Sequence, residues 1–211
     1  MARAAIVTTG HPFPDPEALL ALWFGPAPAA LPPTEIRRRW FRAGKAEDAR
    51  LQSAFLPALE AATTGDGWPR NTPRERLARV ILLDQLPRHC FRGEARAFAF
   101  DALARTEAKA ALARGDEAHH APAQLLFLTM PFRHSETLAR VCALRQRYRA
   151  WMRRWEGHAQ APLILDFDRS AASLEGRLRR FGRDPWRNAA LGRPSTAEER
   201  AFLARRGKSP P

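Results

Sequence analysis

The stretch Thr72–Gly93, TPRERLARVILLDQLPRHCFRG, decides how the chain is to be read. Thr72, Pro73 and Glu75 supply an N-cap hydroxyl, a proline suited to the first helical turn and the acid of a capping box. Leu77, Val80, Ile81 and Leu83 then recur at helical spacing, so a helix is predicted up to about Leu86, ahead of Pro87. Arg92 and Gly93 read as a turn, after which a helix is predicted from about Glu94 to Arg114, stopped by Gly115. Asp84 and Arg88, four residues apart, fall at this corner among Leu82, Leu83 and Leu86, where a buried charge must be paired.

The same signals extend in both directions. Asp15, Pro16 and Glu17 open a helix through EALLALWF that stops at Gly25 and Pro26, and further helices are predicted from about Thr34 to Arg42 and from about Ala46 to Ala62. A short helix is expected from about Ala123 to Thr129, before Pro131. Ser135 is then expected to cap a long one, in which Val141, Leu144, Tyr148, Trp151 and Trp155 form an apolar stripe and six arginines fill the rest. The last two helices are predicted at about Ser170–Phe181, ended by Gly182, and Ala197–Arg205, opened by capping boxes Ser195/Glu198 and Thr196/Glu199. Strand patterns are nearly absent, AAIVTT (4–9) and PLILDF (162–167) being the closest. The expectation is an all-α bundle, or array of helix pairs, of about eight or nine helices with short connections. It would form a single domain over residues 1–211, with 1–14 irregular and 207–211 a short tail.

Charge and cysteine usage narrow the function classes. The formal net charge is +13, yet lysine occurs only at Lys45, Lys109 and Lys208, so arginine carries the excess. Guanidinium forks suit phosphate and carboxylate partners, although a chain rich in Ala, Arg and Pro and poor in Lys also reflects GC-rich coding. No apolar run approaches the ~20 residues of a spanning helix, and the N-terminus lacks the apolar core of a secretory signal, so a cytoplasmic, non-membrane protein is expected. Cys90 and Cys142 lie far apart with no Cys or His cluster beside them. Walker, dinucleotide-binding, HExxH and GxSxG patterns are absent, and no cofactor is expected.

Several motifs occur in one order along the chain: LWFGP, RRWF, LLDQLPRHCFRG, MPFRHSE, RRFGRDPWRNAALGR and STAEERAFL. In these the sequence resembles the bacterial family known as domain of unknown function 924, over nearly its whole length from about Leu19. Asp84, Gln85, Pro87, Arg88, Phe91, Arg92 and Gly93 match that family's first motif, while Leu86, His89 and Cys90 depart from it. The resemblance implies an all-α, tetratricopeptide-like fold with no assigned activity. Where the family usually reads FGRFPHRN, preceded upstream by a histidine, this chain has Asp184, Trp186 and, upstream, Leu174. Two of the family's usual histidines are therefore replaced.

Three polar groups make the candidate site. Asp84, Gln85, Arg88 and Arg92 read either as a network tying a helix end to its neighbours or as contacts to a ligand. His134 offers a base that Asp84 or Glu136 could orient, but no nucleophile accompanies it, which leaves it a weak catalytic candidate. Arg183, Arg187 and Asn188 either cap helix carbonyls or join Arg88 and Arg92 in a pocket for carboxylate or phosphate. The expected function is a binding domain that recognises a small anionic ligand or an acidic peptide, with Arg88, Arg92, Arg183 and Arg187 supplying charge. Alternatives are a tetratricopeptide-like interaction scaffold whose polar motifs are purely structural, and an enzyme of unassigned reaction using His134. DEAHH (116–120) has metal-ligand residue types but reads as a solvated turn, so no metal is expected. Nucleic acid is the weaker partner class, since no aromatic-basic recognition motif accompanies the arginines. Oligomeric state is not legible.

Overall fold

The computed structural model describes residues 14–64 and 67–206. The expected N-terminal irregular segment, the AAIVTT strand candidate and the C-terminal tail lie outside the described residues. In chain order the α-helices are α1 (Pro16–Phe24), α2 (Thr34–Arg42), α3 (Lys45–Thr64), α4 (Pro73–Asp84), α5 (Leu86–Cys90), α6 (Asp101–Ala113), α7 (Pro122–Arg133), α8 (Leu138–Arg154), α9 (Ala161–Phe181) and α10 (Ala197–Arg206). No strand occurs among the described residues, and the fold is an all-α bundle.

Two helices form the centre because their sequences are apolar on nearly every side. Helix α4 buries every residue from Leu77 to Asp84, and α7 every residue from Pro122 to Pro131. Helices α1, α3 and α6 pack around α4, whereas α6, α8 and α9 pack around α7, which itself lies against α4. A hydrophobic cluster runs from Leu19 to Leu178 through this centre. Its aromatic middle is Phe127, with Trp23, Phe24, Trp40 and Phe167 set around it at centroid distances of 4.7–5.9 Å.

The start signals at Asp15, Thr72 and Thr196 work as read, whereas Ser195 Oγ accepts from Asn188 and Glu198 pairs with Arg180. Thr72 Oγ accepts from the Glu75 amide while Glu75 returns a bond to the Thr72 amide, and Thr196 and Glu199 repeat the exchange. Gly182, at φ 71°, ends α9 with its amide bonded to Leu178 O.

Five boundaries differ from expectation, the fifth being the start of α9, at Ala161 rather than about Ser170. The α4 helix ends at Asp84, and Pro87 sits in the first turn of α5, where a missing N–H costs nothing. The segment after Gly93 is a 3-10 turn, Ala95–Phe98, in which Arg96 stacks on Phe91 at 4.1 Å, and α6 starts only at Asp101. Pro131 lies inside the last turn of α7, which continues to Arg133. Ser135 is not the cap of α8: Thr137 holds that place, and buried Ser135 accepts from Arg140 instead. PLILDF, the second strand candidate, is the first part of α9, with Pro162 in its opening turn.

DEAHH is not a solvated turn either. It forms a 3-10 turn in which buried Asp116 takes two bonds of 2.7 Å from Arg76, and His120 is buried with its imidazole pushed down to about 4 by desolvation. The two cysteines are free and half-buried.

Candidate functional site

The junction of α4 and α5 carries a charge network on a buried floor. Asp84 is wholly enclosed and accepts from Gln85 Nε2 at 2.5 Å and from His134 Nδ1 at 2.8 Å. Arg88 donates to the Asp84 carbonyl, lies 3.6 Å from its Oδ1, and reaches Asp101 Oδ1 at 2.8 Å. The other Asp101 oxygen takes Arg187 Nη1 at 3.0 Å, and Arg187 Nη2 donates to His134 O at 2.6 Å. Both guanidiniums lie over the Phe98 ring, at 5.6 and 4.8 Å. Asp101, in the first turn of α6, thus ties together segments 86 residues apart in the chain.

Burial alone would raise the Asp84 pKa, but His134 and Arg88 outweigh it and hold the carboxyl below the usual carboxylate range. The His134 imidazole is pushed down to about 4, first by burial and then by Arg88, against the pull of Asp84. At neutral pH the pair is therefore carboxylate and neutral imidazole. An acceptor-only carboxylate at Nδ1 requires the proton on Nδ1, which leaves Nε2 as an acceptor. A second pair echoes the first. His89 Nδ1 is 2.8 Å from Asp48 Oδ1, Arg92 grips the same carboxylate at 2.8 and 3.0 Å, and burial depresses the His89 pKa.

These groups open on a cavity of about 600 Å³, the size of a small-molecule site. Gln85, Arg88, Arg92, His134 and Arg187, all candidates from the sequence, line it. Asp84 lies behind them. Arg183 and Asn188 do not line it. Arg183 makes two bonds to Glu199 at 2.7 and 2.8 Å, and buried Asn188 donates to Ser195 Oγ and Glu199, so both fasten α10 to the segment after α9.

Other lining residues carry no distinctive sequence signal. His89, Arg133 and Arg177 contribute polar atoms, and Trp40, Phe41, Leu163 and Phe167 an apolar wall. Arg177 is fully paired, with two bonds to Asp184 at 2.8 and 3.1 Å and one to Ser173 Oγ at 2.9 Å. Arg133 is different. It donates to Ser170 Oγ, but among the described residues no carboxylate lies within ion-pair distance of it. Burial, with the positive charges of Arg177 and Arg88, lowers its pKa from the ordinary guanidinium value. Leu174 and Trp186, the positions where histidines are replaced, also face this cavity. Among the described residues no cluster of three or more His, Cys, Asp or Glu side chains is placed to hold a metal ion.

The fold and site together define a helical bundle with an arginine-lined open cavity at the end of its central helix. Residues 19–207 match the family described as bacterial protein of unknown function (DUF924), and the chain belongs to that family. A solved structure of a protein of unknown function from Agrobacterium tumefaciens is similar at 30% identity and a TM-score of 0.73, covering 90% of this chain and 97% of that one. No curated protein matches the chain. No helix among the described residues is long and apolar enough to cross a membrane.

Proposed function

We propose that the cavity is a binding site for a small anionic ligand, with Arg133 as its principal contact and Arg88 and Arg187 beside it. The observation that carries this is the Arg133 guanidinium, which lines the cavity without a carboxylate while Arg88, Arg92, Arg177 and Arg187 each have one. An unpaired charge withdrawn from water costs several kcal/mol, and a bound anion would remove that cost. A cavity of about 600 Å³ suits a small molecule better than an extended acidic peptide. Gln85 and Asp84 then serve as supports, holding Arg88 and His134 in place rather than contacting the ligand through charge.

Thermal unfolding in acetate, sulfate or phosphate, against chloride at equal ionic strength, tests the proposal. Stabilisation should grow with the logarithm of anion concentration, reaching about 2.7 kcal/mol at a hundredfold excess over Kd, and should vanish in Arg133→Met. A melting temperature indifferent to all three anions would overturn it.

One contact favours a second reading, an enzyme using His134. Asp84 fixes the tautomer that leaves Nε2 unprotonated, the arrangement a general base needs, and the side chain keeps 12% exposure beside the cavity. An NMR titration in which His134 keeps a pKa of about 4 in the presence of anions would remove that reading, since so weak a base draws few protons near neutral pH, whereas a rise toward 6.5 would support it.

A further inference from the structure

The cavity extends along α9, and its chemistry changes along that length. Leu163, Phe167, Ser170, Leu174 and Arg177 follow one another at steps of four, three, four and three residues, a single helix face about 21 Å long at 1.5 Å per residue. At the Leu163 end the wall is aromatic: Phe41 lies 5.7 Å from Phe167 and 6.0 Å from Trp40. Phe41 is 60% exposed, the largest exposure of any big hydrophobic side chain among the described residues. From Ser170 to Arg177 the wall carries the charges, with Leu174 and Trp186 between them, Arg133 bonded to Ser170 and Arg177 held by Asp184.

Charge at the polar end can be balanced group by group. Arg88 and Arg187 share Asp101, with buried Asp84 beside Arg88, and Arg177 is matched by Asp184. Four guanidiniums, Arg133 included, thus face three carboxylates, and one positive charge is left over. At the aromatic end Asp166 pairs with Arg169 at 3.5 Å, while Arg37 donates to Thr34 Oγ1 at 3.4 Å and has no ion pair among the described residues, so a second unmatched guanidinium lies at that end.

Resting on the anion-binding reading above, we infer that the ligand is a monocarboxylate amphiphile, its head on Arg133 and its apolar body lying toward Trp40, Phe41 and Phe167. The distance from Ser170 to Leu163 along α9, about 10 Å, corresponds to a chain of roughly nine bonds. The exposed Phe41 ring would be covered by the far end of that chain. A head with two or more charges would exceed the single charge left unmatched at the polar end.

Calorimetric titration of the full chain with straight-chain carboxylates from acetate to decanoate, at fixed ionic strength, tests the inference. Affinity should rise about fourfold per methylene, the equivalent of ~0.8 kcal/mol, and level off at about eight or nine carbons, with one ligand per chain. Arg133→Met should abolish binding of the whole series. Phe41→Ser, at an exposed position, should weaken octanoate at least fivefold more than acetate. If affinity is independent of chain length and Phe41→Ser has no such effect, the amphiphile is wrong while anion binding stands. Octyl phosphate binding tenfold tighter than nonanoate would overturn the single-charge assignment. If neither phosphate, acetate nor octanoate binds, the anion reading itself fails.

Discussion

Replacing Arg133 with methionine should leave the protein at least as stable, although arginine-to-apolar changes at buried positions are usually harmful. Arg133 holds its charge in a site that disfavours it, through burial and the nearby Arg177 and Arg88. Methionine keeps the apolar stem of the side chain and removes that cost, and exchanging poorly compensated buried charge for apolar groups is commonly worth about 1–4 kcal/mol. Against this stand the lost bond to Ser170 Oγ and the favourable place of a cation at the end of α7, about 1.5–3 and 0.3–1 kcal/mol respectively. Ser170 faces the cavity and regains part of its loss from water. The terms nearly cancel, and with the part that Ser170 regains the net expectation lies between no change and a gain of about 1 kcal/mol, at most 2–4 °C in Tm for a chain of this size. Urea unfolding with an unchanged m-value would measure it. Arg177→Met is the control: its guanidinium is more deeply buried but fully paired with Asp184, so its removal should cost about 3–5 kcal/mol. If Arg133→Met loses more than 1 kcal/mol, or if the two variants behave alike, the guanidinium is a structural tie and the reasoning from its missing partner fails.

Asp84→Ala should lower stability by about 3–5 kcal/mol, since it strands Arg88 and His134 on a buried floor, and the loss is read by the same urea assay. Stability should also fall as pH drops from about 6.5 toward 4. The unfolded chain takes up protons on its histidines at the ordinary value, whereas His134 and His120 resist protonation in the fold until about pH 4. His134→Gln should flatten that slope by up to one proton, about 1.4 kcal/mol per pH unit, and an unchanged slope would show that His134 titrates normally. Thr72→Ala, which removes the hydroxyl half of the α4 capping box, should cost about 1 kcal/mol by thermal or urea unfolding.

Helices were legible wherever their signal was local. Thr72 with Glu75, Gly25 and Gly182 act within a few residues of themselves, and the structure uses them as written. Pro87 and Pro131 misled because proline forbids only one hydrogen bond, and both sit where a helical turn tolerates the loss. The corner at Asp84 and Arg88 could be read as a place where charge and core meet, since the two are neighbours on a helix. Its completion by Asp101, Arg187 and His134 depends on packing between distant segments, for which one sequence carries no periodic trace. Arg183 and Arg187 look equivalent in FGRDPWRN, yet one turns toward Glu199 and the other toward Asp101. Arg133 left a faint mark, a lone arginine closing the apolar run of α7. Arg177 left another, a charge on the α9 face otherwise set by Leu163, Phe167 and Leu174. In a chain so rich in arginine neither stood out.

A crystal structure of the protein grown with octanoate tests the central claim most directly. The expected result is carboxylate density within hydrogen-bond reach of the Arg133 guanidinium, in the cavity bounded by Arg88, His134 and Arg187. Carboxylate found only on the surface arginines of α8, or a cavity holding solvent alone at a concentration that saturates the stabilisation in solution, would contradict it.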